Sequence, residues 1–241
     1  MRRFVRAVLF DLGGTLMHPR GPWEPVEARA DQALVESLLQ NGFQVPPDFA
    51  GGFRWRLSRY HRERDQSLFE TTYFSVLREM LAEHDPRPLS DARVRAALDS
   101  LYAVTQSNWE LDQDAALTLG ILESGGYRLG LVSNAGDDKD VKTLVRRFHI
   151  ERYFDFILTS AACSYRKPHP RIFELALAHW GFPPGEAVMV GDLLEADILG
   201  AQNAGLFSIW YDRAGGPAST IQPNAIVNRL LDLPELLGGL A

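Results

Sequence analysis

Carboxylates follow two apolar runs of this 241-residue chain. Asp11 comes directly after the run 4–10, Asp192 follows the run 187–191, and Asp197 comes five residues later. A carboxylate at the end of a buried strand can act as a nucleophile or ligate a hard cation. The short spacing from Asp192 to Asp197 allows both side chains to face one cation. Asp11 by itself is equally compatible with a simple turn at the end of a strand.

Complementary groups for an anion occur elsewhere in the chain. Ser133 and Asn134 end another apolar run, and their side chains can donate hydrogen bonds to an oxyanion. Lys167 lies on a turn before Pro170, which is well placed as the first residue of a helix. The glycines at 13 and 14 allow backbone amides to approach a phosphate closely. Together these residues indicate a site for a phosphate and a cation.

The predicted elements would bring these residues to one edge of a sheet. After residue 114, apolar runs alternate with helical stretches, which predicts a parallel sheet with helices on both faces. Between residues 17 and 108 the pattern is helical, and it predicts helices over 26–42, 49–64, 68–83 and 91–102. We therefore predict an α/β fold, a Rossmann-like doubly wound parallel sheet core (1–17 and 106–241) with an inserted α-helical cap domain (18–105).

The order of these motifs resembles the haloacid dehalogenase (HAD) superfamily of hydrolases. The resemblance covers essentially the whole chain and fits a phosphatase-like subfamily with a helical cap inserted after the first motif. The residues that match the four motifs in order are Asp11, then Ser133 with Asn134, then Lys167, then Asp192 with Asp197.

The resemblance implies a Mg²⁺-dependent phosphatase that forms an aspartyl-phosphate from a small phosphorylated metabolite. Asp11 would attack the phosphorus, and Lys167 would balance the charge of the nucleophile and the phosphate. The implied metal ligands are Asp11, the backbone carbonyl of Gly13, Asp192 and Asp197. The implied phosphate-binding groups are Thr15, Ser133 and the backbone beside Asn134.

Gly13 departs from the pattern of the family's phosphatases. They usually have an aspartate at this position, which protonates the leaving oxygen and then activates water. Such acid–base help contributes about a hundredfold to ten-thousandfold, and its loss affects alkyl phosphates more than acyl or aryl phosphates. The alternatives are an acid from elsewhere, a narrow phosphatase for good leaving groups, and a binding or regulatory protein with little turnover. His18 is the best-placed substitute acid, ahead of His61 and Glu63.

Two other branches of the family fit less well. The phosphonate-cleaving branch needs a lysine in the cap, whereas the lysines of this chain are Lys139, Lys142 and Lys167. The 2-haloacid dehalogenases have an arginine soon after the nucleophile and usually lack the Gly-Asp metal motif. Arg20 is compatible with that branch, which remains a second alternative, but Asp192 and Asp197 argue against it.

The stretch 54–64 of the predicted cap is rich in arginine and aromatic residues. It could bind a second anionic group of the substrate, but a solvated helix face is the favoured interpretation.

Composition sets the remaining expectations. The net charge of −6 gives no support to a nucleic acid as partner. Cys163 is the single cysteine, which excludes an internal disulfide and is typical of a reducing cytoplasm. No apolar segment is long enough to span a membrane. We expect a cytoplasmic monomer or homodimer whose partner is its small phosphorylated substrate.

Overall fold

A computed structural model of the protein describes residues 5–84, 87–213, 215 and 219–240. The strands are β1 (Ala7–Phe10), β2 (Met17–Pro19), β3 (Trp109–Leu111), β4 (Arg128–Ser133), β5 (Phe156–Thr159), β6 (Ala187–Gly191), β7 (Phe207–Tyr211) and β8 (Ala225–Val227). Six of them form a parallel sheet in the order β5-β4-β1-β6-β7-β8.

Helices surround this sheet and form the segment between β2 and β3. The helices are α1 (Glu24–Gln40), α2 (Phe49–Ser67), α3 (Tyr73–His84), α4 (Asp91–Gln106), α5 (Ala115–Ser124), α6 (Asp138–Arg147), α7 (Ser160–Cys163), α8 (Pro170–Ala178), α9 (Gly200–Asn203) and α10 (Leu233–Leu240). A π-helical turn, Leu194–Leu199, precedes α9.

The central strand β1 is buried on both faces. Val8 and Phe10 belong to an apolar cluster on one side of the sheet, and Ala7 and Leu9 belong to a cluster on the other side. This division follows the alternation of side chains along a strand. It explains why the sequence of β1 is a continuous apolar run, and it confirms the prediction of a doubly wound α/β sheet.

Helices α1–α4, called the helical insert below, have an apolar cluster of their own. Leu34, Phe53, Leu77 and Leu98 contribute one fully buried side chain from each helix. The four helices lie where the sequence predicted them, although α3 begins at Tyr73 rather than at residue 68. We retain the division into residues 18–105 and the core as a proposal.

Several short elements were not predicted. Strands β2 and β3 pair antiparallel where the helical insert joins the core, with Met17 opposite Leu111. Strand β8 extends the sheet beyond β7, and α10 packs against the core near the C-terminal end. Within the described residues, no helix combines the length and hydropathy needed to cross a bilayer.

Candidate active site

The strand order places the first and fourth motifs side by side. Strand β1 lies between β4 and β6, and the backbone N–H of Asp11 donates to the carbonyl of Val190 at 2.9 Å. Asp11, Asp192 and Asp197 each offer a carboxylate oxygen, and the three oxygens lie within 4.8 Å of one another. The structure therefore brings together the three carboxylates that the sequence proposed as metal ligands.

Two glycines make room for these carboxylates. A Cβ atom at Gly14, whose φ is +93°, would overlap the carboxylate of Asp192. A Cβ atom at Gly191 would overlap the carboxylate of Asp197. Both positions thus require glycine for space, and Gly14 also requires it for backbone conformation.

Lys167 neutralises part of this negative charge. Its ammonium donates to Asp11 at 2.6 Å and to the carbonyl of Val132 at 2.8 Å, and it pairs with Asp197 at 2.8 Å. Burial opposes its charge, but the carboxylates of Asp11 and Asp197 outweigh that effect and raise the pKa of Lys167. Lys167 is therefore a buried, charged group that bridges the ends of β1 and β6.

One lysine does not balance three carboxylates, two of which are buried. Burial raises the pKa of Asp11, and the charges of Asp197 and Asp192 add to the increase although Lys167 opposes it. Burial and Asp197 together raise the pKa of Asp192 to about 6. A divalent cation would relieve this repulsion, and carboxylate oxygens are the donors that Mg²⁺ prefers. The residues present therefore fit the metal that the family resemblance implies.

Asn134 fixes the position of Lys167. Its amide nitrogen donates to the carbonyl of Lys167 at 2.9 Å, and its amide oxygen accepts from the backbone N–H of Lys167 at 2.8 Å. The side chain of Asn134 is thus hydrogen-bonded to the backbone N–H and carbonyl of Lys167. The prediction that Ser133 and the backbone beside Asn134 hold a phosphoryl oxygen stays a prediction; both residues line the same cavity as Asp11.

Thr15 is completely buried and contacts the carboxylate cluster. Its hydroxyl donates to Asp192 at 3.2 Å. This contact orients Asp192 and opposes the increase of its pKa. Thr15 does not line the cavity next to Asp11, so its predicted contact with a phosphoryl oxygen stays a prediction.

A cavity of about 370 Å³ adjoins Asp11 and Lys167. Gly13 lies in its wall, and a Cβ atom there would be 3.4 Å from the indole ring of Trp109. The space next to Gly13, where the family's usual aspartate would extend, is therefore bordered by carbon atoms of an indole ring. Gly13 also bridges to Met17, which lines the same cavity.

His18 is not among the described residues that line this cavity. Neighbouring residues of a strand face opposite sides, so Met17 faces the Asp11 cavity while His18 faces another cavity. There its imidazole pairs with Asp112 at 3.0 Å, and Asp112 also accepts from the hydroxyl of Tyr211 at 3.0 Å. Burial, with a contribution from Arg213, lowers the pKa of His18. The structure thus places His18 away from the nucleophile.

His61 reaches the cavity only through Tyr73. Its Nε2 atom lies 2.7 Å from the hydroxyl of Tyr73, which lines the Asp11 cavity. Burial lowers the pKa of His61 to about 4, so the imidazole is neutral at physiological pH. Glu63 is exposed and pairs with Arg59 at 3.4 Å.

Several cavity residues were not identified from the sequence. Some of them depend on contacts between the helical insert and the core, among them Tyr73, Tyr102, Trp109 and Asp140. Gly136 is the sequence feature that could have indicated a close contact at this place, because a Cβ atom there would overlap the ring of Tyr73. The backbone N–H of Tyr73 also donates to the carbonyl of Gly136 at 2.9 Å.

A buried glutamate of the helical insert holds it to the core. Glu70 accepts from the hydroxyl of Ser160 at 2.6 Å and from that of Tyr60 at 2.5 Å, and it pairs with the guanidinium of Arg166. The backbone of residues 68–70 runs beside 164–166, with Arg166 donating to the carbonyl of Leu68 at 2.9 Å. The residue next to Lys167 is therefore tied directly to the helical insert.

The arginines of α2 are largely engaged by carboxylates. Arg56 binds Glu83 with two hydrogen bonds of 2.7 Å, and Arg64 contacts Glu70 at 3.4 Å. None of the arginines of α2 lines the Asp11 cavity. The structure thus favours the solvated-face interpretation of the stretch 54–64.

Comparison with known proteins agrees with this geometry. The family model for haloacid dehalogenase-like hydrolases matches residues 5–205. The chain is 46% identical over 210 residues to a glyceraldehyde 3-phosphate phosphatase of Methanothermobacter thermautotrophicus, covering 85% of this chain and 84% of the relative. It is 30% identical over 210 residues to a ribulose-1,5-bisphosphate 5-phosphatase of Halopiger xanaduensis, covering 86% of this chain and 84% of the relative.

The fold is also that of a solved dehalogenase. A 2-haloacid dehalogenase from Pseudomonas syringae superimposes with a TM-score of 0.71 at 28% sequence identity. The superposition covers 98% of this chain and 100% of that structure.

Proposed function

The chain belongs to the haloacid dehalogenase-like hydrolase family, and from that premise we propose that it removes phosphate from a small phosphorylated metabolite with Asp11 as nucleophile. Its family and its phosphatase relatives make it a phosphoric monoester hydrolase. The observation that carries the proposal is the contact of Lys167 with both Asp11 and Asp197, beside Asp192.

In the proposed first step, an oxygen of Asp11 forms a bond to phosphorus while the bond to the leaving oxygen breaks. The leaving oxygen keeps the electron pair and takes a proton from water. Water then attacks the aspartyl-phosphate, which releases inorganic phosphate and restores the carboxylate. Lys167 holds the Asp11 carboxylate in place and offsets the charge that gathers during each transfer.

Mg²⁺ is the cation we propose for this site. When bound by Asp11, Asp192, Asp197 and the carbonyl of Gly13, it would draw the phosphate to the nucleophile and neutralise charge on the phosphoryl oxygens. Thr15 and Gly14 position Asp192 for this role, because one donates to its carboxylate and the other leaves space for it.

Gly13 limits the leaving groups that we expect the enzyme to release. Within the described lining of the cavity, there is no histidine to replace the family's acid, and the indole of Trp109 borders the space beside Gly13. An aryl or acyl phosphate needs little protonation of its leaving oxygen, whereas an alkyl phosphate needs much more. We therefore propose a preference for good leaving groups.

Turnover of p-nitrophenyl phosphate, acetyl phosphate and a set of sugar phosphates tests the proposal. The wild-type protein should hydrolyse the first two only when Mg²⁺ is present. Asp11→Asn should lower this rate by about a thousandfold or more, because the nucleophile is lost. Gly13→Asp should raise the rate on sugar phosphates relative to that on p-nitrophenyl phosphate.

The control is His18→Asn, which changes a buried residue outside the cavity and should retain Mg²⁺-dependent turnover. A wild-type protein inactive on every phosphate, with activity appearing only in Gly13→Asp, would contradict the proposal and indicate a binding or regulatory protein. Release of halide from a 2-haloacid by a protein inactive on phosphates would support the dehalogenase alternative.

A further inference from the structure

We propose that this site selects phosphate monoesters whose leaving group carries an apolar, preferably aromatic, face and no negative charge. The inference rests on the proposed function, since it concerns the substrate of the same site. Under this proposal, esters that carry a carboxylate or a second phosphate are poor substrates, whereas esters that carry a cationic amine are accepted.

The charges around the cavity are unfavourable for an anionic leaving group. Lys167 is the single cationic side chain in the described lining of the Asp11 cavity, and it is engaged by Asp11 and Asp197. Two further carboxylates, those of Asp137 and Asp140, lie in the same wall. A leaving group with an anionic end would therefore approach carboxylates and find no unengaged cation.

The two additional carboxylates differ in their partners. Asp137 has a cationic partner, because it pairs with Arg95 at 2.6 Å, and it caps α6 by accepting from the backbone N–H of Asp140. Asp140 instead accepts from the uncharged amide of Gln106 at 2.7 Å. The negative charge that a substrate would meet thus belongs to Asp140.

The ionisation of Asp140 agrees with this role. Burial raises its pKa to about 6, and the charge of Asp137 adds to the increase. The carboxyl group is therefore mostly ionised at pH 7.5, where it would repel an anionic leaving group and attract a cationic one.

A second cavity, lined largely by the helical insert, shares part of its lining with the first. It has a volume of about 360 Å³ and shares Tyr73 and Tyr102 with the Asp11 cavity. Its basic residue Arg54 pairs with Asp31 at 2.8 Å, and Glu27 adds another carboxylate to its wall. His61 is neutral because burial lowers its pKa to about 4. The second cavity therefore offers no better place for an anion.

Aromatic side chains form part of the lining of both cavities. Trp109 borders Gly13, the ring of Tyr73 covers Gly136, and Tyr102 lies in the walls of both cavities. Met17 and Leu193 add apolar surface to the Asp11 cavity. Such a lining buries a planar or apolar group favourably, and its π faces also attract a cationic amine.

Three aryl phosphates with nearly the same reacting centre test the inference. They are tyramine phosphate, 4-ethylphenyl phosphate and the phosphate of 3-(4-hydroxyphenyl)propionate, whose side chains are cationic, neutral and anionic. Two methylene groups separate each charge from the ring, so the leaving phenols are similarly acidic. At pH 7.5 with Mg²⁺, kcat/KM should be about tenfold or more higher for tyramine phosphate than for the propionate.

Asp140→Asn should reduce this ratio severalfold, mainly by improving kcat/KM for the propionate. Asparagine keeps an oxygen that can accept from Gln106, so the contact with the helical insert is retained. The matched control is Asp138→Asn, in the same helix but outside the cavity lining, where the carboxylate pairs with Lys142 at 2.7 Å. This variant should leave the ratio unchanged.

Binding of the corresponding arylphosphonates, measured by calorimetry with Mg²⁺, separates this inference from the proposed function. Turnover with equal or reversed preference for the three esters would overturn the inference and leave the phosphatase intact. The predicted order of binding without any turnover would support the inference and contradict the proposed function. Absence of both turnover and binding would overturn both.

Discussion

Two charged regions of this protein are organised in opposite ways. After β1 and β6, three carboxylates lie close together, and the buried Lys167 is shared between two of them, Asp11 and Asp197. On α2, by contrast, Arg56 and Arg59 each pair with one exposed carboxylate, that of Glu83 and that of Glu63. The first region concentrates negative charge away from water, whereas the second distributes compensated charge in water.

The difference shows that a charged residue indicates a functional site mainly where burial makes its charge energetically costly. An exposed ion pair contributes little to stability, so it can be gained or lost without consequence. Buried carboxylates that repel one another need a partner, either the lysine or a cation. The density of arginine along α2 therefore says little about function, whereas the few charges at the strand ends indicate a site.

Among the changes that test this comparison, Lys167→Met should alter the free energy of unfolding most. It leaves Asp11 and Asp197 buried without their cation, and we expect the free energy of unfolding to fall by about 3–5 kcal/mol. Urea denaturation in EDTA at pH 7.5 measures the change. A loss below about 1 kcal/mol would mean that the cluster is solvated and that the lysine does not hold it together.

Adding Mg²⁺ should produce the next largest effect. A cation that binds the folded cluster at a hundred times its Kd stabilises the protein by about 2.7 kcal/mol. Thermal unfolding with increasing Mg²⁺ should show a rising Tm, and Asp192→Asn should largely abolish the rise. An equal rise in both proteins would place the cation elsewhere.

Asp140→Asn should have a smaller effect that depends on pH. The pKa of Asp140 rises from 3.8 to about 6 on folding, so ionising this carboxyl destabilises the folded wild-type protein progressively as the pH increases from about 4 through 6. Asparagine does not titrate, and the variant should gain roughly 1–2 kcal/mol over wild type at pH 7.5 and little at pH 4.

Urea denaturation of both proteins across this pH range measures the difference. The raised pKa values of Asp11 and Asp192 are common to both proteins and cancel in the comparison. A difference between the proteins that is constant with pH would show that Asp140 does not change its pKa on folding.

Arg59→Met should have the smallest effect. The arginine and Glu63 are both exposed and lie 3.4 Å apart, so the variant should change the free energy of unfolding by less than about 0.5 kcal/mol. Urea denaturation at low and high salt is the measurement. A loss comparable to that of Lys167→Met would remove the distinction between the two regions.

The strands that are buried along their whole length could be predicted from the sequence. Strand β1 is continuous apolar sequence because both of its faces are covered, and the same holds for β6, whose residues are all buried. Asp11 and Asp192 follow these strands directly, so predicting the strands also located the residues. The structure adds that Gly14 and Gly191 are required by the carboxylates beside them.

Contacts between distant segments could not be predicted in this way. Strands β2 and β3 have three residues each, which is too short for a recognisable period. Their pairing decides that His18 faces Asp112 and that Trp109 borders Gly13. The start of α3 at Tyr73 likewise depends on pairing of residues 68–70 with the core.

The contact between Glu70 and Arg166 has a kinetic consequence. Arg166 and Lys167 are joined by one peptide bond, and Glu70 belongs to the helical insert. An opening of the insert that releases Glu70 therefore loosens the segment that carries the lysine. For the function proposed above, an opening that admits substrate or releases phosphate would therefore also disturb the alignment of the ammonium. The rate of that opening, which depends on solvent viscosity, would then set an upper limit on turnover.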